Sequence, residues 1–214
     1  MKTIQVYVCP LSAIVQAEMI DFASRRDYQQ YKREQIYGYR DQQIARHLHT
    51  SIDALDYAVT AHGKPYLRHS TLAFNHSHSQ DDYALAISDR VVDIGVDIES
   101  LNRKIRFDAL AQHAFHPDEY ACWKALEEDV RYWFKVWTTK EAILKAHGMG
   151  IRLDLNTLNT HMHPTSDQGQ IVDDRLGVFA YQCFDLGAAM LCVAWRSDIG
   201  CGQFILPKIQ IFRP

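Results

Sequence analysis

The chain has 214 residues, 47% of them hydrophobic and 23% charged, with a formal net charge of −3. That is the composition of an ordinary soluble globular protein, and the mild negative balance disfavours general attraction to nucleic acid. The length suits one large domain or two small ones, and it is enough to bury a core without disulfides or structural metals. The five cysteines, Cys9, Cys122, Cys183, Cys192 and Cys201, are odd in number, lack paired spacing and sit among apolar residues. They read as buried free thiols in a reducing compartment. MKTIQVYVCPLSAIV has no long apolar run and no small-residue cleavage site, so no signal peptide is expected. No segment approaches the roughly 20 apolar residues of a membrane span. A cytoplasmic location is the expectation.

In chain order, Ile4, Val6 and Val8 alternate and predict a first strand that Pro10 ends. Residues 12–58 mix charged and periodic apolar positions and predict two or three helices, one near DQQIARHLHTSI. GKPYL at 63–67 reads as a turn leading into extended chain. YALAIS at 83–88 and VVDIGVDIE at 91–99 read as strands, with Asp89 and Arg90 as the turn of a hairpin. A helical pattern runs from Phe107 to about Leu126, with Pro117, Asp118 and Glu119 marking a helix start inside it. VRYWFKVWTTKEAILKAHGMG at 130–150 is the strongest helix, ending at Gly148 or Gly150. Residues 154–175 are polar and loop-like, and GVFAYQCFDL, AAMLCVAW and FILPKIQIF are late strands. The order predicts an α/β or α+β protein in two halves, 1–104 and 105–214.

Two of these segments carry chemistry. In a strand, side chains alternate between faces. Asp97 and Glu99 therefore share a face with Gly95 and Asp93, opposite Val92, Ile94, Val96 and Ile98. Two carboxylates at i and i+2 can share a hard cation such as Mg²⁺, and glycine lets a ligand or backbone come close. A solvated acidic face is the plainer alternative. Trp137, Glu141 and Lys145 are spaced by four and form one helical stripe. A Glu–Lys pair at that spacing is often only a surface ion pair. It would also complete a site for a pyrophosphate carried by Mg²⁺. In FNHSHS at 74–79, Ser77 and His78 have hydrogen bonds to offer a phosphate; His76 and His78 as metal ligands lack a third partner. Lys64 sits in the GKP turn.

The pieces GKP, FNHSHS, GVDIE and WTTKEAILKAHGMG, in this order, resemble the 4′-phosphopantetheinyl transferase superfamily, and more closely its larger, surfactin-synthetase-activating type. Gly95–Glu99 matches the family pattern G-[IV]-D-[IVL]-E, and Trp137–Lys145 matches W-x-x-K-E-[AS]-x-x-K. The resemblance implies two similar α/β halves related by a pseudo-twofold, with coenzyme A in the cleft between them. It implies Asp97, Glu99 and Glu141 as ligands of Mg²⁺, and Glu141 as the general base. Lys145, Ser77, His78 and Lys64 would then contact coenzyme A. Arg33, Arg40 and Arg46 are candidates for an arginine near the nucleotide. The implied partner is an acyl, peptidyl or aryl carrier protein. Apolar and basic residues around 108–130 are a candidate docking surface for it, a monomer is expected, and the mild negative charge argues against a nucleic-acid partner. A Mg²⁺-dependent phosphohydrolase or nuclease, and a non-catalytic carrier-binding protein, are the alternatives.

Overall fold

The computed structural model describes residues 2–150, 153–197 and 206–213. The alternation of Ile4, Val6 and Val8 becomes strand β1 (Thr3–Pro10), with those three side chains buried. The region expected to hold two or three helices is one long helix, α1 (Arg25–Leu48), with short 3-10 turns before and after it. Ser24 starts α1 by accepting a hydrogen bond from the Asp27 backbone N–H. Buried Ile36 and Ile44 give it an inner side. The GKP turn joins two short strands, β2 (Tyr57–Val59) and β3 (Pro65–Leu67), and β4 (Ala73–His78) and β5 (Asp82–Ser88) follow.

The expected hairpin between 83–88 and 91–99 does not form. β5 pairs with β1 and β4, while β6 (Gly95–Ser100) pairs with β9 (Ala189–Arg196) in another sheet. The reason lies at Asp93, which has a left-handed φ of 49° and accepts a hydrogen bond from Arg196 at 2.5 Å. This corner breaks the alternation, so the strand begins at Gly95. Val91 is buried, and Val92, expected to face the core, is 58% exposed.

Pro117 opens α3 (Pro117–Ala125) directly after α2 (Phe107–Ala114). Helix α4 (Val130–His147) ends where Gly148 takes φ 86°. The segment expected to be loop contains β7 (Gln168–Asp173), which pairs antiparallel with β8 (Gly177–Asp185). It is an edge strand that buries Ile171 and exposes Val172, so its composition hid it. β10 (Lys208–Phe212) lies parallel to β1. Residues 204 and 205 of the third late strand, and Cys201, lie outside the described residues. The other four cysteines are free thiols, and three of them are buried.

The fold is mixed α/β, with two four-stranded sheets ordered β10-β1-β5-β4 and β6-β9-β8-β7. Each sheet has strands from both sides of residue 104. Ile4, Val6, Ala84 and Ala86 of the first sheet pack on Val96, Ile98, Leu191 and Val193 of the second. The other face of the first sheet, with Tyr83, Leu85 and Ile87, is covered by α1. The other face of the second sheet, with Phe179, Tyr181 and Cys192, is covered by α4. Strand alternation thus builds four layers from one repeating rule. No helix among the described residues is long and apolar enough to cross a membrane.

Candidate active site at the seam of the sheets

β4 and β6 are each the edge of their sheet, and they lie side by side. Asn75 Oδ1 accepts the Val96 backbone N–H at 2.9 Å, so a side chain stands in for a ladder carbonyl. Ser77 Oγ donates to Asp97 Oδ1 at 2.8 Å, and the Ser79 and Ser100 hydroxyls are 2.9 Å apart. Helix α4 crosses the odd-numbered face of β6. A Cβ added to Gly95 would fall 2.1 Å from the Ala142 carbonyl oxygen and 2.4 Å from the Ala146 nitrogen. Of the two approaches that Gly95 allows, ligand or backbone, the helix backbone takes the space.

That contact sets the next two pleats. Asp97 is 4% exposed and meets Lys145, whose Nζ lies 2.6 Å from Asp97 Oδ1 and 2.7 Å from Ser77 Oγ. Asp97 Oδ2 is buried with no hydrogen-bond partner. Glu99 accepts from Arg103 at 2.7 Å. Burial raises the carboxyl pKa of Glu99, the Asp97 charge raises it further, and Arg103 opposes both. Glu141 is raised likewise, first by burial, then by Asp97 and later Glu99, with Lys145 opposing. Asp97, Glu99, Glu141, Lys145 and Ser77 therefore act on one another in one confined place. A carboxylate with a raised pKa at such a convergence marks a functional candidate.

Of the other expected residues, His76 and His78 lie within electrostatic reach of Lys145. The His78 imidazole has its pKa lowered by burial, then by Lys32 and Lys145, while Asp97 raises it. His76 packs edge-on to Tyr37, and burial, then Arg40, holds its pKa down to about 3. Arg40 is buried between the Tyr37 and Tyr57 rings, 4.7 Å from each centroid, and donates to Asp41; Arg33 and Arg46 are exposed. Lys64 is not brought to the carboxylates. Its Nζ donates to the Ile94 and Ala146 carbonyls at 3.1 and 2.5 Å.

Residues 93–190 match the family model of the 4′-phosphopantetheinyl transferase superfamily. That stretch is 98 of the 214 residues, so the match is a similarity over just under half of the chain. Among curated relatives, the chain is 41% identical over 95 residues to the 4′-phosphopantetheinyl transferase HetI of Nostoc sp.. It is 38% identical over 89 residues to AcpT of Escherichia coli K12, and 36% identical over 100 residues to gsp of Aneurinibacillus migulanus, both named 4′-phosphopantetheinyl transferases. These matches take in 42%, 40% and 45% of this chain. The chain spans less than half of each relative's length, at 40%, 45% and 39%.

Hard oxygen donors and the partnerless Asp97 Oδ2 fit a divalent cation in chemistry. The side chains as they stand do not enclose one. Among the described residues no three His, Cys, Asp or Glu are arranged to hold a metal ion, and Lys145 sits on Asp97 instead.

Sequence reasoning passed over three residues. Asn75 lies inside the FNHSHS segment, but its role depends on which strand it flanks. Arg103 reaches Glu99 only through the turn after β6. Lys140, next to Glu141 in the motif, points to Glu119 at 2.8 Å and away from the seam.

Proposed function

We propose that the chain moves the 4′-phosphopantetheine arm of coenzyme A onto a serine of a carrier protein. The carrying observation is the convergence of Asp97, Glu99, Glu141 and Lys145 at one seam, with a buried oxygen of Asp97 left without a partner. The carrier serine oxygen attacks the β-phosphorus of coenzyme A. As that bond forms, the bond to the α-phosphate oxygen breaks, and adenosine 3′,5′-bisphosphate leaves. Glu141 takes the serine proton, and its raised pKa makes it a better acceptor than an ordinary carboxylate. Lys145 brings the positive charge to the phosphates, and Ser77 and His78 supply hydrogen bonds to their oxygens. Asp97, Glu99 and Glu141 would hold Mg²⁺, which when bound neutralises and orients the pyrophosphate. The acyl, peptidyl or aryl carrier would dock beside the seam.

The test is the mass of a purified apo carrier protein after incubation with this protein, Mg²⁺ and coenzyme A. The carrier should gain one phosphopantetheinyl group. Consumption of coenzyme A without a gain in carrier mass would point to a phosphohydrolase and overturn the reading.

A further inference from the structure

Lys64 reaches its two carbonyls at the spot where strand and helix backbones touch. One acceptor, the Ile94 oxygen, immediately precedes Gly95; the other belongs to Ala146, whose nitrogen would clash with a Cβ on Gly95. The Ala146 carbonyl is one of the last four of α4, which have no partner inside the helix. A lysine there also complements the negative end of the helix dipole. The lysine stem is fixed as well. A Cβ on Gly148, the helix-ending residue, would lie 3.0 Å from Lys64 Cδ. One pleat beyond Gly95 is Asp97, and one residue before Ala146 is Lys145. The backbone contact at Gly95 sets how close strand and helix come. It does not by itself stop them sliding past each other, whereas a bridge between Ile94 and Ala146 does.

We infer that Lys64 is a positioning residue, which ties the start of β6 to the last turn of α4 and fixes the register in which Asp97 meets Lys145. This rests on the reading of the seam as the site of transfer. It differs from a direct coenzyme A contact, because two of the three ammonium protons are already held by backbone. Burial lowers the Lys64 pKa to about 8, with Asp93 opposing and Arg196 reinforcing, as befits a lysine kept from solvent.

Lys64→Met keeps the stem and removes the donors. Its expected effect is a ~10–100-fold fall in kcat, the scale of a small misplacement of reacting groups, with the KM for coenzyme A within about twofold of wild type. Amide hydrogen exchange should quicken at Val96 and across the last turn of α4. A rise in KM with kcat unchanged would make Lys64 a coenzyme A contact. A lower melting temperature with both constants unchanged would make it merely structural. Either result overturns the inference. If Lys64→Met does not fold, the lysine Nζ resonance of the wild-type protein decides: it should stay unshifted on adding Mg²⁺ and coenzyme A, and a large shift overturns the clamp. Wild-type protein that transfers nothing would defeat the reading of the site, while the exchange and resonance measurements would still decide the clamp.

Discussion

Of the lysine–carboxylate pairs on helix α4, the two whose carboxylates are buried are built to opposite rules. Lys140 and Glu119 are 1% and 2% exposed and 2.8 Å apart. Lys140 also donates to the Leu155 carbonyl at 2.9 Å and to the Leu158 carbonyl. Glu119 Oε1 accepts from the Thr160 N–H and hydroxyl at 2.7 and 2.5 Å, and Oε2 accepts the His116 N–H at 2.8 Å. Each donor and acceptor has a partner. The second pair, Lys145 and Asp97, leaves Lys145 29% exposed and one Asp97 oxygen with nothing. Two further acids with raised pKa values press on it. A buried ionic network with every group satisfied holds a fold in one arrangement, while a buried oxygen without a partner is costly and calls for a reason beyond stability. The same helix thus uses one lysine to fasten α3 and the loop at 155–160, and the other in the pair proposed to serve transfer.

Breaking the complete pair should give the largest change in stability. Lys140→Met strands the Glu119 charge in the core, and loss of one partner of a buried pair costs about 3–5 kcal/mol. Urea unfolding measures it, and a cost under about 1 kcal/mol would show that the pair does not fasten the fold.

The incomplete pair should respond in activity first. Glu141→Gln should slow transfer ~100-fold, the scale for loss of a general base. Its stability without ligands should match or exceed that of wild type. The folded pKa of Glu141 lies above its ordinary value of 4.5, so the native state holds the proton more tightly than the unfolded chain. Wild-type stability relative to Glu141→Gln should therefore decline as pH rises through that interval. Melting temperatures across the interval check this, and a wild-type advantage that grows with pH would contradict it.

Lys64, between the two, should show its effect in the pH dependence of stability. Its pKa is lowered from 10.5 to about 8, so between those values the unfolded chain binds more protons. Stability of wild type relative to Lys64→Met should then rise with pH across that window. The groups facing Lys64 there are Asp93 and Arg196, with His147 nearby. A flat difference would mean that the ammonium is better solvated than its two carbonyl contacts imply.

The sequence made the unsatisfied pair legible and concealed the satisfied one. Asp97, Glu99, Glu141 and Lys145 announce themselves by periods of two and four, because strand and helix geometry alone put each set on one face. Glu119 is legible only as an acid at a helix start, which it is, through its bond to the His116 N–H. Its partnership with Lys140 depends on how α3 packs on α4, and no local period encodes that. Gly95 was legible as a close approach, but not what approaches. The turn at Asp93 was missed because alternation runs through VVDIGVDIE without a break in composition, while a left-handed residue and a distant Arg196 break it in space. β7 was missed for the opposite reason, since an edge strand with a single buried residue offers no alternation to read.

The measurement that tests the central contrast most directly is the melting-temperature rise caused by Mg²⁺ plus coenzyme A in wild type, Asp97→Asn and Ile98→Ala. Ligand stabilises only the state that binds it. The rise should vanish in Asp97→Asn. It should persist in Ile98→Ala, which loses about 2–5 kcal/mol of core packing from the other face of the same strand. A full rise in Asp97→Asn would contradict the account and leave the Lys145–Asp97 pair as structural as its neighbour.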